Sequence, residues 1–304
     1  DAAAPTDTPA SPPAEDTPAT PEVDSSGVIA SPAARAESKP AAAAAPAKEA
    51  GATKPKVFTS VKDLGICHDR NARYRRTMED EYAYADGFMG EPTQGYFGIY
   101  DGHGGKDAVQ FVRDHLHPNF EETLKTVEDV HEAFKVAYVK TDDMIGEAKI
   151  QYSGTTTVSA FIRNEGDKRK LYVANVGDAR AVLARNGKGL RLTYDHKASD
   201  AGETKRIQDA GGFVIMNRVN GILAVTRSLG DRAMKDYVSG EPYTTETVLE
   251  EGDTHLILAC DGVWDVISDD SAVELVMQFD KCQEAAKKLL IASLRAGSTD
   301  NISV

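Results

Sequence analysis

The chain has 304 residues, 41% of them hydrophobic, and a net charge of −13. It contains no apolar run of the roughly 18 residues that would suggest a membrane span, and no basic stripe, which argues against nucleic acid as a partner. Its three cysteines, Cys67, Cys260 and Cys282, cannot all pair and lack zinc-ligand spacing, which excludes a disulfide framework.

Residues 1–56 hold 10 of the 13 prolines and no aromatic residue. Such a segment buries too little apolar surface to offset its ordering entropy, so it is read as a disordered Ala/Pro-rich tail. It is neither Arg-rich nor followed by an apolar signal core, unlike a signal or transit peptide. Five Ser/Thr-Pro pairs lie in it: Thr8-Pro9, Ser11-Pro12, Thr17-Pro18, Thr20-Pro21 and Ser31-Pro32. Proline-directed kinases read such dipeptides, although composition alone also produces them. The tail has eight acids and five bases, which leaves about −10 on residues 57–304, enough chain for one large domain.

The body opens on Tyr74–Asp80, read as a strand in which Arg75, Thr77 and Glu79 share a face. An arginine beside carboxylates can hold two phosphate oxygens with its planar fork, and Arg75 is preferred over Arg76. Gln94–Tyr100 alternates as a strand and ends on Asp101-Gly102-His103-Gly104-Gly105. The glycines allow close backbone approach, so the Gly102 carbonyl can join Asp101 as a metal ligand. His103 can be a metal ligand, a packed histidine or a general acid, and the last is favoured. Helices are expected at Lys106–His115 and Val127–Ala148, and strands at Thr155–Ile162, Lys170–Val176 and Ala179–Ala184. Asp178 sits in the turn between the last two, where a backbone-bonding role is equally natural. Asn186-Gly187 predicts a hairpin into Leu190–Leu192.

Residues 195–222 are polar and read as an excursion from the core, with a helix at Asp200–Ala210 stopped by Gly211-Gly212. Thr254–Cys260 is an apolar strand running into Asp261-Gly262-Val263-Trp264-Asp265. Helices follow at Ser271–Gln278 and Gln283–Ala296, then the turn Ser298-Thr299-Asp300-Asn301. Hairpin-linked strands with helices in separate blocks predict an antiparallel α+β domain. Glu79, Asp80, Asp101, Asp261 and Asp300 form an oxygen-rich set with no multi-histidine or thiolate partner. Such a set suits hard divalent cations, Mg²⁺ or Mn²⁺, whose charge an acidic body needs in order to accept a phosphorylated substrate. The cysteines are read as small buried thiols in a reducing compartment, with no catalytic role.

In this order the motifs resemble the type 2C family of metal-dependent Ser/Thr protein phosphatases, from about Lys62 to Val304. The likeness also takes in Ser153-Gly154-Thr155-Thr156, Val176-Gly177-Asp178-Ala179-Arg180, Asp195-His196-Lys197 and Leu223–Asp231. It implies two antiparallel β-sheets packed as a central sandwich flanked by α-helices on both sides. It implies two metal ions held by Asp101, the Gly102 carbonyl, Glu79, Asp80, Asp261 and Asp300, some through water, and a weaker third ion at Asp178 and Asp265. It makes Arg75 the phosphate-binding arginine, His103 the general acid, and residues 197–222 a flap beside the cleft. The implied reaction is hydrolysis of phosphoserine or phosphothreonine by a metal-activated water with no phosphoenzyme.

Two departures stand out: Ala198 replaces the family's usual proline, bearing on flap rigidity, and the apolar strand that the family completes after Asn301 is expected to extend beyond Val304. The expected partners are phosphoSer/phosphoThr proteins and protein kinases, with no nucleic acid and no membrane. The expected state is a monomer, located in the cytoplasm or nucleus. The alternatives are a pseudophosphatase that binds a kinase, against which all core acids are present, and a two-metal phosphodiesterase, which the acidic body disfavours.

Overall fold

The computed structural model describes residues 57–304, and the expected tail, residues 1–56, lies outside them. In chain order come β1 (His68–Asp69), β2 (Asp80–Asp86), β3 (Gly95–His103), α1 (Asp107–Leu124), α2 (Val130–Glu147), β4 (Gly154–Glu165), β5 (Lys168–Val176), β6 (Arg180–Arg185) and β7 (Lys188–Arg191). They are followed by α3 (Ala201–Asp209), β8 (Val214–Ile215), β9 (Arg218–Val219), β10 (Leu229–Gly230), β11 (Tyr243–Val248) and β12 (Asp253–Ala259). The chain closes with α4 (Asp261–Trp264), α5 (Asp269–Val276), α6 (Cys282–Arg295) and β13 (Ile302–Ser303).

One antiparallel sheet runs β11-β5-β4-β3-β2, with β10 also paired to β4, and a second runs β12-β6-β7. The two-residue alternation of the strands decides what each face meets. Tyr96 and Tyr100 of β3 face α1 and α2, packing with Val112, Leu116, Phe120, Phe134 and Tyr138. Ile99, on the opposite face, packs with Val158, Leu171 and Val173 of its own sheet and Ala181 and Leu183 of the other. The outer face of the second sheet, Val182, Ala184, Ile257 and Ala259, is covered by Val273, Val276, Leu289 and Leu290 of α5 and α6. The result is four layers, helix-sheet-sheet-helix, and the expected sandwich is the fold. Each fully buried leucine or phenylalanine in it contributes about 1.5–3 kcal/mol.

The expected hairpin forms, with Arg185 paired to Lys188 across Asn186 and Gly187, whose φ angles are 52° and 75°. Both residues are left-handed, as a two-residue turn that matches strand twist requires. Helix α3 ends where the glycines predicted: Gly212 N–H donates to the Ile207 carbonyl and Gly211 N–H to that of Gln208.

Two readings need correction. Helix α1 runs to Leu124, beyond the expected His115, and contains Pro118. An interior proline costs about 3 kcal/mol, but Leu116 and Phe120 around it are fully buried, and their packing outweighs that cost. Residues 70–79, in contrast, are not a strand. Their polar groups are met by side-chain amides: Asn301 Nδ2 donates to the carbonyls of Arg70 and Thr77, and Glu79 N–H donates to Asn301 Oδ1. The strand begins only at Asp80.

Candidate active site

Asp80 and Asp101 are directly paired residues of β2 and β3, so their side chains share a face. By alternation that face is the one carrying Ile99, which places both carboxylates at one end of the sandwich interior. Asp80 is buried; its Oδ2 accepts a 2.7 Å bond from Ser303 Oγ, while its Oδ1 has no hydrogen-bond partner among the described residues. Asp261 is the first residue of α4, at the end of β12, and Asp300 lies in the turn before β13. Gly262 brings these two segments together: a Cβ there would stand 2.0 Å from the Asn301 carbonyl oxygen. Gly102 packs as closely, since its Cβ would stand 2.5 Å from the Glu79 carbonyl oxygen.

Glu79 reaches the same end of the sandwich. Its Oε1 accepts from Thr77 Oγ1 at 2.7 Å and its Oε2 from Gly105 N–H at 3.4 Å. The acids of this cluster are far from ordinary carboxylates. Burial first, then repulsion from Asp80, Asp261, Asp178 and Asp300, pushes Asp101 well up. Burial and the neighbouring acids Asp178, Asp300 and Asp265 do the same to Asp261. Asp80 is raised to about 6, chiefly by burial, and Asp300 is raised by burial despite the opposing Arg75. A cluster of buried and partly buried acids, with a carboxylate oxygen of Asp80 that has no partner among the described residues, fits a hard divalent cation. Cys260 Sγ lies within 4.8 Å of ligand atoms of Asp80 and Asp101, a proximity that its place in an apolar run did not reveal. Burial raises its pKa well above the usual thiol value, which keeps it a neutral, poor ligand for such a cation.

Arg75 reaches the cluster from a loop instead of a strand face. Its guanidinium donates to the Asp300 carboxylate and, at 3.3 Å, to the Thr299 carbonyl. His103 closes β3, and its Nε2 lies 2.7 Å from Asp231 Oδ2. The two acids expected at a third site come together around a lysine: Lys197 Nζ is 3.4 Å from Asp178 Oδ2 and 2.8 Å from Asp265 Oδ1. Asp178 is buried and its pKa raised by burial, with Lys197 pulling it back down. Asp231, Lys197 and Asn301 lie in motifs of the family likeness but received no role from the sequence, and Ser303 was not singled out. Their partners are many positions away, and no spacing pattern connects them.

The excursion after β7 is a folded flap. It contains α3 and the β8–β9 hairpin around a small core of Ile207, Val219 and Val238. Glu203 of α3 ties it down through Arg206, Arg227 and Thr226 Oγ1.

The family model described as protein phosphatase 2C matches residues 64–302. The chain belongs to the protein phosphatase 2C family. It is 42% identical over 256 residues to protein phosphatase 2C homolog 1 of Saccharomyces cerevisiae, covering 79% of this chain and 91% of that protein. It is 43% identical over 245 residues to protein phosphatase 2C homolog 1 of Schizosaccharomyces pombe, covering 79% and 71%. The fold is similar to that of a serine-threonine phosphatase 2C from Toxoplasma gondii, with a TM-score of 0.68 at 24% identity over 78% of this chain and 92% of that one. This family member is a protein serine/threonine phosphatase, acts on phosphoproteins and depends on metal.

Proposed function

We propose that the chain transfers the phosphoryl group of phosphoserine and phosphothreonine directly to water, without a phosphoenzyme, using Mg²⁺ or Mn²⁺. The residues that would hold two such ions are Asp80, Asp101, the Gly102 carbonyl, Asp261, Asp300 and Glu79, with Asp178 and Asp265 at a weaker third position. The observation that carries this reading is the acid cluster around buried Asp80, whose Oδ1 has no hydrogen-bond partner among the described residues. When bound, the ions supply positive charge at the phosphoryl oxygens and a water acidic enough to attack at neutral pH.

The chain's own groups do the rest. Arg75 is half exposed and donates to Asp300, so its fork can turn to take phosphoryl oxygens. A water oxygen bonds to phosphorus as the bond from phosphorus to the Ser or Thr oxygen breaks, and His103 protonates the departing oxygen. Lys197 stands between Asp178 and Asp265, so a third ion would displace its ammonium group. The reading extends to a monomer acting in the cytoplasm or nucleus, with protein kinases among its partners and a tail that serves regulation instead of chemistry.

The test is turnover of a phosphothreonine peptide by the full chain, alongside a DNA substrate. EDTA should abolish peptide turnover and Mn²⁺ restore it, with DNA left intact. Full activity in metal-free buffer would sink the metal assignment, and DNA cleavage would favour a phosphodiesterase.

A further inference from the structure

We propose that Asp231 is the positioning residue of His103: it holds the Nε2 side of the ring, so that Nδ1 is the nitrogen that meets the substrate's departing oxygen. This inference rests on the reading of His103 as the general acid. The observation is a row across three strands. His103 of β3 pairs with Gly154 of β4, and Gly154 pairs with Gly230 of β10, the residue just before Asp231. Having no side chain at its centre, the row lets Asp231 reach across it. A Cβ at Gly154 would stand 2.1 Å from Asp231 Oδ2 and 2.6 Å from His103 Nε2. Any larger residue there would block the contact between carboxylate and imidazole, which spans 2.7 Å.

The carboxylate is held for this task. Asp231 is a non-glycine residue in the left-handed region, with φ 48° and ψ 44°, a conformation that costs energy and is retained where something else requires it. Its N–H donates to the Ser153 carbonyl at 3.0 Å, and Ser228 Oγ donates to its Oδ2. The loop beneath is clamped by a buried pair: Asp142 accepts from Gly230 N–H at 2.8 Å and lies 2.8 Å from Lys235, whose Nζ also donates to the Ser228 carbonyl. The side chain of Asp231 is 10% exposed and that of His103 29%, so the pair turns its acid inward and part of its imidazole outward. Among the described residues no hydrogen bond engages Nδ1. A carboxylate acceptor keeps a proton on Nε2, so in the doubly protonated ring the proton free to leave is the one on Nδ1. In the step, the bond from Nδ1 to its proton breaks and an O–H bond forms on the Ser or Thr oxygen. The ring is left neutral, with its remaining proton on Nε2 and hydrogen-bonded to Asp231.

The experiment uses the full chain loaded with Mg²⁺ and compares Asp231→Ala, Asp231→Asn, Ser228→Ala and His103→Gln. A phosphothreonine peptide, whose alkoxide leaves poorly, is set against p-nitrophenyl phosphate, whose phenolate leaves without help. Asp231→Ala should lower kcat on the peptide roughly tenfold or more, inside the range of general acid catalysis. It should cost far less on the aryl ester and leave the peptide KM alone. Asn keeps an acceptor and should recover part of the loss. Nitrogen-15 spectra of His103 should show the fixed proton on Nε2 in the parent chain and a mixture of tautomers in Asp231→Ala. Equal losses on both substrates, or an unchanged His103 spectrum, would overturn the assignment. If His103→Gln itself lacks the leaving-group bias, the general-acid reading falls and this inference with it. If His103→Gln has the bias and Asp231→Ala does not, only this inference falls. Should Asp231→Ala not fold, Ser228→Ala decides, since it keeps the carboxylate and should show the same bias at smaller size. No bias there would count against the proposal.

Discussion

Asp101 is crowded by Asp80, Asp261, Asp178 and Asp300, and that repulsion sets what its removal does. Asp101→Asn removes one acid from a mutually repelling cluster, so the metal-free protein should melt at the same temperature or higher while losing most of kcat at saturating Mn²⁺. Near-parental activity would show that Asp101 is not a core ligand. Arg75→Ala should instead weaken binding of substrate and inorganic phosphate, lowering kcat/KM roughly 10- to 100-fold, the scale of charged hydrogen bonds. Unchanged KM, kcat and phosphate inhibition would refute the assignment. Arg75 also shows what was legible at this scale. It was preferred over Arg76 by strand alternation, yet residues 70–79 form a loop held by Asn301, and Arg75 meets Asp300 through that loop. The acids themselves were legible because each lies in a short motif at a strand end. Asp231 was not, because its partner lies 128 positions earlier and only the row of glycines joins them.

At the scale of elements, most strands and helices expected from periodicity formed, but β2 and β11 were not expected, and α1 runs past its expected end. Helix α1 was expected to end at His115, yet it continues through Pro118 to Leu124, and Phe120 stacks on Phe134 with ring centroids 4.0 Å apart. The flap behaves similarly. Ala198, in place of the family's usual proline, put the flap's rigidity in question; it is buried, and Glu203 ties the flap to Arg206 and Arg227. Burial would raise the Glu203 pKa, yet bonds from Arg227, Arg206 and Thr226 outweigh it and hold it near 2. A depressed carboxylate adds stability above its ordinary pKa and loses it as pH falls from about 4.5 to about 2. Glu203→Gln should therefore cost about 1–3 kcal/mol at neutral pH, a drop of several degrees in Tm. Limited proteolysis should cut sooner between residues 200 and 222. An unchanged Tm and cleavage pattern would mean the flap is held by its apolar core alone.

At the scale of the whole molecule, the acid cluster makes stability, pH and metal a single problem. Burial and mutual repulsion raise Asp80 to about 6, and Asp101 and Asp261 well above the usual carboxylate range. A raised acid binds its proton in the folded state more readily than in the unfolded state. Stability therefore falls as pH rises from the unfolded pKa, about 4, through the folded one. His196 works the other way: burial and then Arg227 lower it to about 4, so its contribution grows as pH rises from about 4 to about 6.5. Comparing melting with and without Mg²⁺ separates the two, since the ion neutralises the carboxylates and leaves His196 as it was. The rise in Tm on adding Mg²⁺ should be small near pH 5, where protons already hold part of the cluster together. It should grow steadily toward pH 8, where only the cation can. In Asp101→Asn the growth should be shallower, because one of the titrating groups is gone. A Mg²⁺ effect of the same size at pH 5 and pH 8 would mean that the cation does not bind at the titrating acids, and the metal assignment would have to move elsewhere on the chain.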